Sequence, residues 1–280
     1  MKIIKAKNIG FCAGVNYTIK KTLELISNND KVYCLGELVH NTDVINDLKS
    51  RGVIFVEKIE EVPDNSNVIF RAHGEPVVTY EKANGKNLNI IDLTCGKVAM
   101  VHKKVEKNSK NYFVIIVGKR NHPEIIATKS YAGDNSFVIE NFDDIDECYK
   151  KYLESGIGGV YVCSQTTYSV SKFNMIVDKL SELISDIVVE NTICKSTIDR
   201  QNEVNEIACL SDKVFVVGDK LSSNTKELFN NASKYCNDVS MLQNVSEIEN
   251  FGDKYNVIGI VSGASTPKEI VDDICDKLLL

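Results

Sequence analysis

Short apolar runs alternate with amphipathic stretches along the whole chain. Val32–Gly36, Val53–Val56, Val68–Phe70 and Leu88–Leu93 read as strands, as do Phe113–Val117, Phe137–Ile139, Gly159–Cys163 and Asp186–Val189. Val214–Val217, Val239–Leu242 and Val257–Val261 continue the series, which Ile3–Ala6 opens. Between them, stretches such as Val15–Ile26, Ser169–Leu183 and Lys268–Leu279 carry the spacing of amphipathic helices. This alternation marks βα units and predicts an α/β fold with mostly parallel sheets.

The pattern also repeats. Val56-Glu-Lys-Ile59-Glu-Glu-Val62 matches Ile139-Glu-Asn-Phe142-Asp-Asp-Ile145 and Leu242-Gln-Asn-Val245-Ser-Glu-Ile248 in its apolar and polar positions. The copies lie 83 and 103 residues apart, about a third of the 280-residue chain. No Gly/Ser/Pro-rich linker separates them, so three small α/β lobes related by a pseudo-threefold repeat are expected around one central site. Their bounds are 14–96, 97–193 and 194–280, the last completed by the N-terminal strand within 1–13. Cys12, Cys95 and Cys194 each follow a strand, at spacings of 83 and 99 residues. If the N-terminal strand closes the third lobe, three thiols from quasi-equivalent lobes meet at one centre.

Composition narrows the function classes. With 43% hydrophobic and 26% charged residues the chain is ordinary globular protein. A net charge of −6 without a basic block argues against a nucleic-acid partner. No apolar run approaches the roughly 18–20 residues that span a bilayer, and Met1–Lys7 reads as a strand, not a signal peptide. Nine scattered cysteines, an odd number without a secretion signal, point to a reducing cytoplasm.

Ligands of parallel sheets sit beyond the carboxyl ends of the strands. Those ends carry His40-Asn41 and Arg71-Ala-His73-Gly74, then Asn121-His122-Pro123-Glu124 and Ser164-Gln165-Thr166-Thr167, then Ser222-Ser223-Asn224 and Ser262-Gly-Ala-Ser265. No C-x2-C pair is present, which disfavours a structural zinc. A cubane cluster held by three cysteines leaves one iron open as a Lewis acid. His40, His73, His122, Ser222, Ser223, Asn224 and Ser265 are compact donors suited to phosphate oxygens. Glu124, two residues after His122, suits a proton relay, and Thr166 suits holding a water or hydroxyl beside it.

Taken in order with Gly10-Phe-Cys12-Ala-Gly14, Thr94-Cys95, Thr192-Ile-Cys194, Arg200-Gln201 and Gly263-Ala-Ser265, these motifs resemble the 4-hydroxy-3-methylbut-2-enyl diphosphate reductases from about residue 8 to 269. The resemblance implies the last step of the non-mevalonate isoprenoid pathway. There an allylic alcohol diphosphate is reductively dehydrated, with two electrons and two protons, to isopentenyl and dimethylallyl diphosphate. It implies a [4Fe–4S] cluster on Cys12, Cys95 and Cys194 with one open iron for the substrate hydroxyl. Glu124 is then the proton donor and Thr166 orients that hydroxyl. His40, His73, His122, Ser222, Ser223, Asn224 and Ser265 hold the diphosphate. Reduced ferredoxin or flavodoxin is the implied electron donor, and the enzyme is expected to be a cytoplasmic monomer.

Two positions depart from the family pattern. Gly96 stands where the family usually has Pro, and Gly118-Lys-Arg-Asn121 lacks the extra His that many members carry before His122. Two alternatives stay open at this point: a non-redox hydro-lyase using the open iron only as a Lewis acid, and a diverged, non-catalytic cluster-binding paralogue. Cys34, Cys148, Cys163, Cys209, Cys236 and Cys275 read as small hydrophobes. Arg71 and the Lys103–Lys110 stretch read as solvated faces, and His102 as a capping or surface residue of the helical run Val98–Lys107. Ser222 and Asn224 suit N-caps of a helix at Lys226–Ala232, which is compatible with an anion site.

Overall fold

The computed structural model describes residues 1–28, 31–248 and 254–279. Each expected strand is present. Numbered along the chain they are β1 (Lys2–Lys5), β2 (Val32–Leu35), β3 (Val53–Val56), β4 (Asn67–Phe70) and β5 (Asn89–Asp92). There follow β6 (Phe113–Val117), β7 (Ser136–Ile139), β8 (Val160–Ser164) and β9 (Ile187–Val189). The last are β10 (Lys213–Val217), β11 (Val239–Leu242) and β12 (Val257–Ser262). They form three four-stranded sheets ordered β3-β2-β4-β5, β7-β6-β8-β9 and β11-β10-β12-β1, in which every pairing is parallel. The chain therefore builds three parallel-sheet α/β lobes of one topology. β1 takes the place in its sheet that β5 and β9 take in theirs, so the N-terminal strand does complete the third sheet.

The sequence repeat has a local cause. β3, β7 and β11 are edge strands, and each runs into a short 3-10 turn: Ile59–Glu61, Phe142–Asp144 and Val245–Glu247. The last apolar residue of each strand, Val56, Ile139 or Leu242, is buried. The turns are closed by side-chain oxygens. Glu61 accepts the Lys58 N–H at 2.8 Å, Asp144 accepts the Asn141 N–H at 2.9 Å, and Asn244 accepts the Ser246 N–H at 3.0 Å. Central strands β6, β8 and β10 are buried along their whole length. That explains their unbroken apolar runs, since helices cover both faces of such sheets. Each fully buried Val or Ile contributes about 1.5–3 kcal/mol.

The chain divides into two compact units. The larger, Tyr17–Leu38 with Asp47–Ile193, holds the sheets of β2–β5 and β6–β9. Within it, the helix Pro123–Ala132 packs on the helices Gly96–Asn108 and Val77–Gly85, and the Val77 N–H donates to Ser130 Oγ at 3.1 Å. The smaller, Met1–Asn16, Val39–Asn46 and Cys194–Leu280, holds the sheet of β1 and β10–β12. Among the described residues no helix is long and apolar enough to cross a membrane.

Candidate active site

In the larger unit the loop after β6 and the loop after β8 meet through Glu124. His122 is the N-cap of the helix Pro123–Ala132, with Pro123 at its first position. The Glu124 N–H donates to His122 Nδ1 at 3.2 Å. The Glu124 side chain is buried and faces Thr166. Its Oε1 accepts the Thr166 N–H at 2.6 Å and its Oε2 accepts the Thr166 hydroxyl at 2.9 Å. Burial pushes the Glu124 carboxyl up to about 7, against the opposing pull of the Thr166 backbone and hydroxyl hydrogen bonds. The two loops lie this close because residue 118 is glycine. A Cβ there would come within 2.5 Å of Ile125 Cδ1 and 2.9 Å of Gln165 Cβ.

His73 sits on the turn after β4. The Gly74 N–H donates to the Arg71 carbonyl at 3.0 Å, and Gly74 has φ of 76°, a conformation that favours glycine. The His73 ring meets His122 edge-to-face at 5.3 Å. Cys95, after β5, is the N-cap of the helix Gly96–Asn108, and its N–H donates to the Ala72 carbonyl at 3.0 Å. The cysteine and the His73 turn are thereby joined. Two expectations are corrected here. Arg71 is not solvated: its guanidinium lies over Gly36, where a Cβ would collide with it, and Arg71 Nε donates to buried Glu75 at 2.9 Å. His102 is neither a cap nor a surface residue, being only 5% exposed. The Lys-rich stretch Lys103–Lys110 is mostly exposed, but Lys104 pairs with Glu190.

In the smaller unit Cys12 and Cys194 occupy like positions. The Cys12 N–H donates to the Ala264 carbonyl at 2.9 Å, and its own carbonyl accepts the Asn16 N–H, opening a helix at Ala13. Cys194 is the N-cap of the helix Lys195–Cys209, and its Sγ lies 3.1 Å from the Thr197 hydroxyl. Arg200, on that helix, holds the Cys12 loop. Its buried guanidinium donates to the carbonyls of Asn8, Gly10 (2.8 Å) and Ser262 (3.0 Å), while Glu203 accepts the N–H groups of Lys7 and Asn8. Thr197 and Glu203 were not singled out from sequence. Arg200 and Gln201 marked the family pattern, but nothing local showed that Arg200 binds a loop 190 residues away.

The same unit holds five of the expected anion ligands, His40, Ser222, Ser223, Asn224 and Ser265, on two of its three segments. Ser265 Oγ donates to the His40 carbonyl and Asn41 Nδ2 donates to the Ser265 carbonyl, both at 3.0 Å. Thr42 is held by Asp219, through its N–H at 3.1 Å and its hydroxyl at 2.9 Å. Ser222 is the N-cap of the helix Ser223–Ala232, so this expectation holds for Ser222 but not for Asn224. Both polar atoms of the Asn224 side chain are buried without a hydrogen-bond partner among the described residues. An unmet buried amide at a helix N-terminus is the chemistry an anion would satisfy.

Among the described residues no disulfide joins any of the nine cysteines. Cys12, Cys95 and Cys194 are half-buried, each at the start of a helix, and neither Cys95 nor Cys194 caps its helix with its side chain. A half-buried thiol at a helix start has the chemistry of a metal ligand, and Thr197 fits a hydroxyl donating to a Cys194 thiolate. Cys34, Cys148, Cys163, Cys236 and Cys275 are buried; burial pushes the Cys34 and Cys148 thiols up to about 12. Cys209 is exposed at a helix end.

A family model described as LytB protein matches residues 3–279. The chain belongs to the LytB family. It is 33% identical to the 4-hydroxy-3-methylbut-2-enyl diphosphate reductase of Clostridioides difficile over 98% of both chains. The Histophilus somni protein of that name is 36% identical over 99% of this chain and 90% of its own. A longer Clostridium tetani protein of the same name is 33% identical, and the chain spans 44% of its length. The solved E-1-hydroxy-2-methyl-but-2-enyl-4-diphosphate reductase of Plasmodium falciparum superposes with a TM-score of 0.91 at 30% identity, covering 100% of this chain and 88% of that one. A second LytB-family neighbour, a solved (E)-4-hydroxy-3-methyl-but-2-enyl diphosphate reductase described as the terminal enzyme of the non-mevalonate pathway, matches over 99% of both chains at 32% identity and a TM-score of 0.72.

Proposed function

We propose that this chain converts (E)-4-hydroxy-3-methylbut-2-enyl diphosphate to isopentenyl and dimethylallyl diphosphate. The C–O bond to the hydroxyl breaks, two electrons and two protons are taken up, and water leaves. Cys12, Cys95 and Cys194 would hold a [4Fe–4S] cluster. When bound, that cluster supplies the electrons and a Lewis-acid iron. The observation that carries the reading is the Glu124–Thr166 pair. A buried carboxyl near 7 keeps a proton available at neutral pH, and its 2.9 Å contact with the Thr166 hydroxyl gives that proton a path to a leaving hydroxyl. His40, His73, His122, Ser222, Ser223, Asn224 and Ser265 hold the diphosphate. The neutral donors among them suit a chain whose net charge is −6, since hydrogen bonds at one local site can hold the substrate anion without a basic surface.

The proposal includes the remaining expectations: lobes at 14–96, 97–193 and 194–280 with 1–13, a monomeric cytoplasmic enzyme, and ferredoxin or flavodoxin as reductant. The test is Glu124→Gln under anaerobic conditions. It should keep its iron and its affinity for substrate while losing turnover by about 10²–10⁴-fold, the usual worth of a positioned acid. Turnover at the wild-type rate would remove Glu124 from the mechanism.

A further inference from the structure

We propose that His102 is a positioning residue for His73, its buried imidazole clamping the turn that presents His73 to the diphosphate. The helix Gly96–Asn108 reaches that turn at two points. At its N-cap, the Cys95 N–H donates to the Ala72 carbonyl at 3.0 Å. Seven residues on, about two helical turns, His102 meets Gly74. A Cβ on Gly74 would come within 2.5 Å of His102 Cε1 and 3.4 Å of both ring nitrogens, so the ring lies directly against the Gly74 α-carbon. The two holds flank His73.

Gly74 meets the Cε1 edge of the imidazole, and one face of the ring is also occupied. It stacks on Tyr131 with centroids 4.5 Å apart and planes at 20°, and the Tyr131 hydroxyl donates to the Glu75 carbonyl at 3.5 Å. The two rings thus span Gly74 to Glu75, while the Arg71–Glu75 ion pair closes the same turn from the other side. His102 Nε2 is buried without a hydrogen-bond partner among the described residues. An unmet buried nitrogen is destabilising, so the nitrogen is not what holds the ring in place. Ring shape is: a flat side chain lies with one face on the tyrosine and reaches the Gly74 α-carbon with its edge. Desolvation lowers the His102 pKa to about 4, which keeps the ring neutral and leaves no charge beside His73.

This inference rests on the reading of His73 as a diphosphate ligand, and the experiment separates the two. Anaerobic, iron-loaded enzyme is titrated with inorganic diphosphate as competitive inhibitor, and KM and kcat are measured for wild type, His102→Ala, His102→Phe, Gly74→Ala, His73→Ala and the double variant His102→Ala/Gly74→Ala. His102→Ala should raise KM and the diphosphate inhibition constant about tenfold, the cost of misplacing one charge-assisted hydrogen bond, with kcat within about twofold and iron content unchanged. His102→Phe, which keeps a flat ring, should restore both constants to within about threefold of wild type. Gly74→Ala should impair binding less in the His102→Ala background than alone, because the collision partner is gone. Unchanged constants in His102→Ala, a His102→Phe enzyme as weak as His102→Ala, or strict additivity of the pair would each overturn the inference. Should His102→Ala fail to fold, His102→Phe and Gly74→Ala still decide it: wild-type inhibition constants in Gly74→Ala overturn it. If His73→Ala itself leaves diphosphate inhibition untouched, the His73 reading fails instead.

Discussion

The carboxyl of Glu124 sets two pH dependences of opposite experimental character. As the proposed acid it must be protonated, so kcat/KM falls as pH rises through about 7, and Glu124→Gln flattens that limb. For stability, the folded-state pKa stands above the ordinary carboxyl value of 4.5. The folded protein therefore binds this proton more tightly than the unfolded chain, and stability falls as pH rises from about 4.5 to 7 and stays reduced above it. Glu124→Gln should melt higher than wild type at pH 8 and show little difference at pH 4.5, read by thermal denaturation. Among the thiols, Cys12→Ser, Cys95→Ser and Cys194→Ser should each lose iron, whereas Cys34→Ser should retain it, because Cys34 is buried filler in β2. Iron analysis of anaerobically purified variants checks this. Glu124 and the three cysteines were placed as candidates because their spacing and neighbours mark strand ends. Arg71 and His102 were not, because their burial comes from Gly36, Glu75, Gly74 and Tyr131, partners that no local pattern names.

Helix starts recur as the elements on which the proposed chemistry stands. Cys95, Cys194, His122 and Ser222 are all N-caps. Gly96 occupies the first helical position, where proline is favoured, and a Cβ there meets open space. Gly96→Pro should thus fit, with the melting temperature raised by about 1–3 °C and iron content unchanged, since the gain comes from restricting the unfolded chain. At the helix proposed to bind the diphosphate the opposite holds. A Cβ on Gly263 collides with the Thr225 hydroxyl, so Gly263→Ala should push back the N-terminus of Ser223–Ala232 and weaken inhibition by inorganic diphosphate several-fold. Strand positions were readable to within a residue or two from apolar runs. The misses were polar ends: Ser164 and Ser262 stay in the ladders of β8 and β12 because backbone pairing ignores side-chain polarity.

Across the molecule, one four-stranded topology occurs three times, and the register Lys2↔Val257 to Lys5↔Ile260 shows how the first strand completes the last sheet. The 83- and 103-residue repeat made that legible. What no periodicity revealed is that residues 39–46 group with the chain's C-terminal third. Asn41 and Thr42 make that link through Ser265 and Asp219, pairs 224 and 177 residues apart. LytB-family membership and this construction support one central claim, reduction of an allylic diphosphate. The most direct test is an anaerobic assay of the iron-loaded protein with (E)-4-hydroxy-3-methylbut-2-enyl diphosphate, with and without dithionite as electron source. The account predicts isopentenyl and dimethylallyl diphosphate only when reductant is present; no product from fully loaded, reduced protein, or equal turnover without reductant, would contradict it.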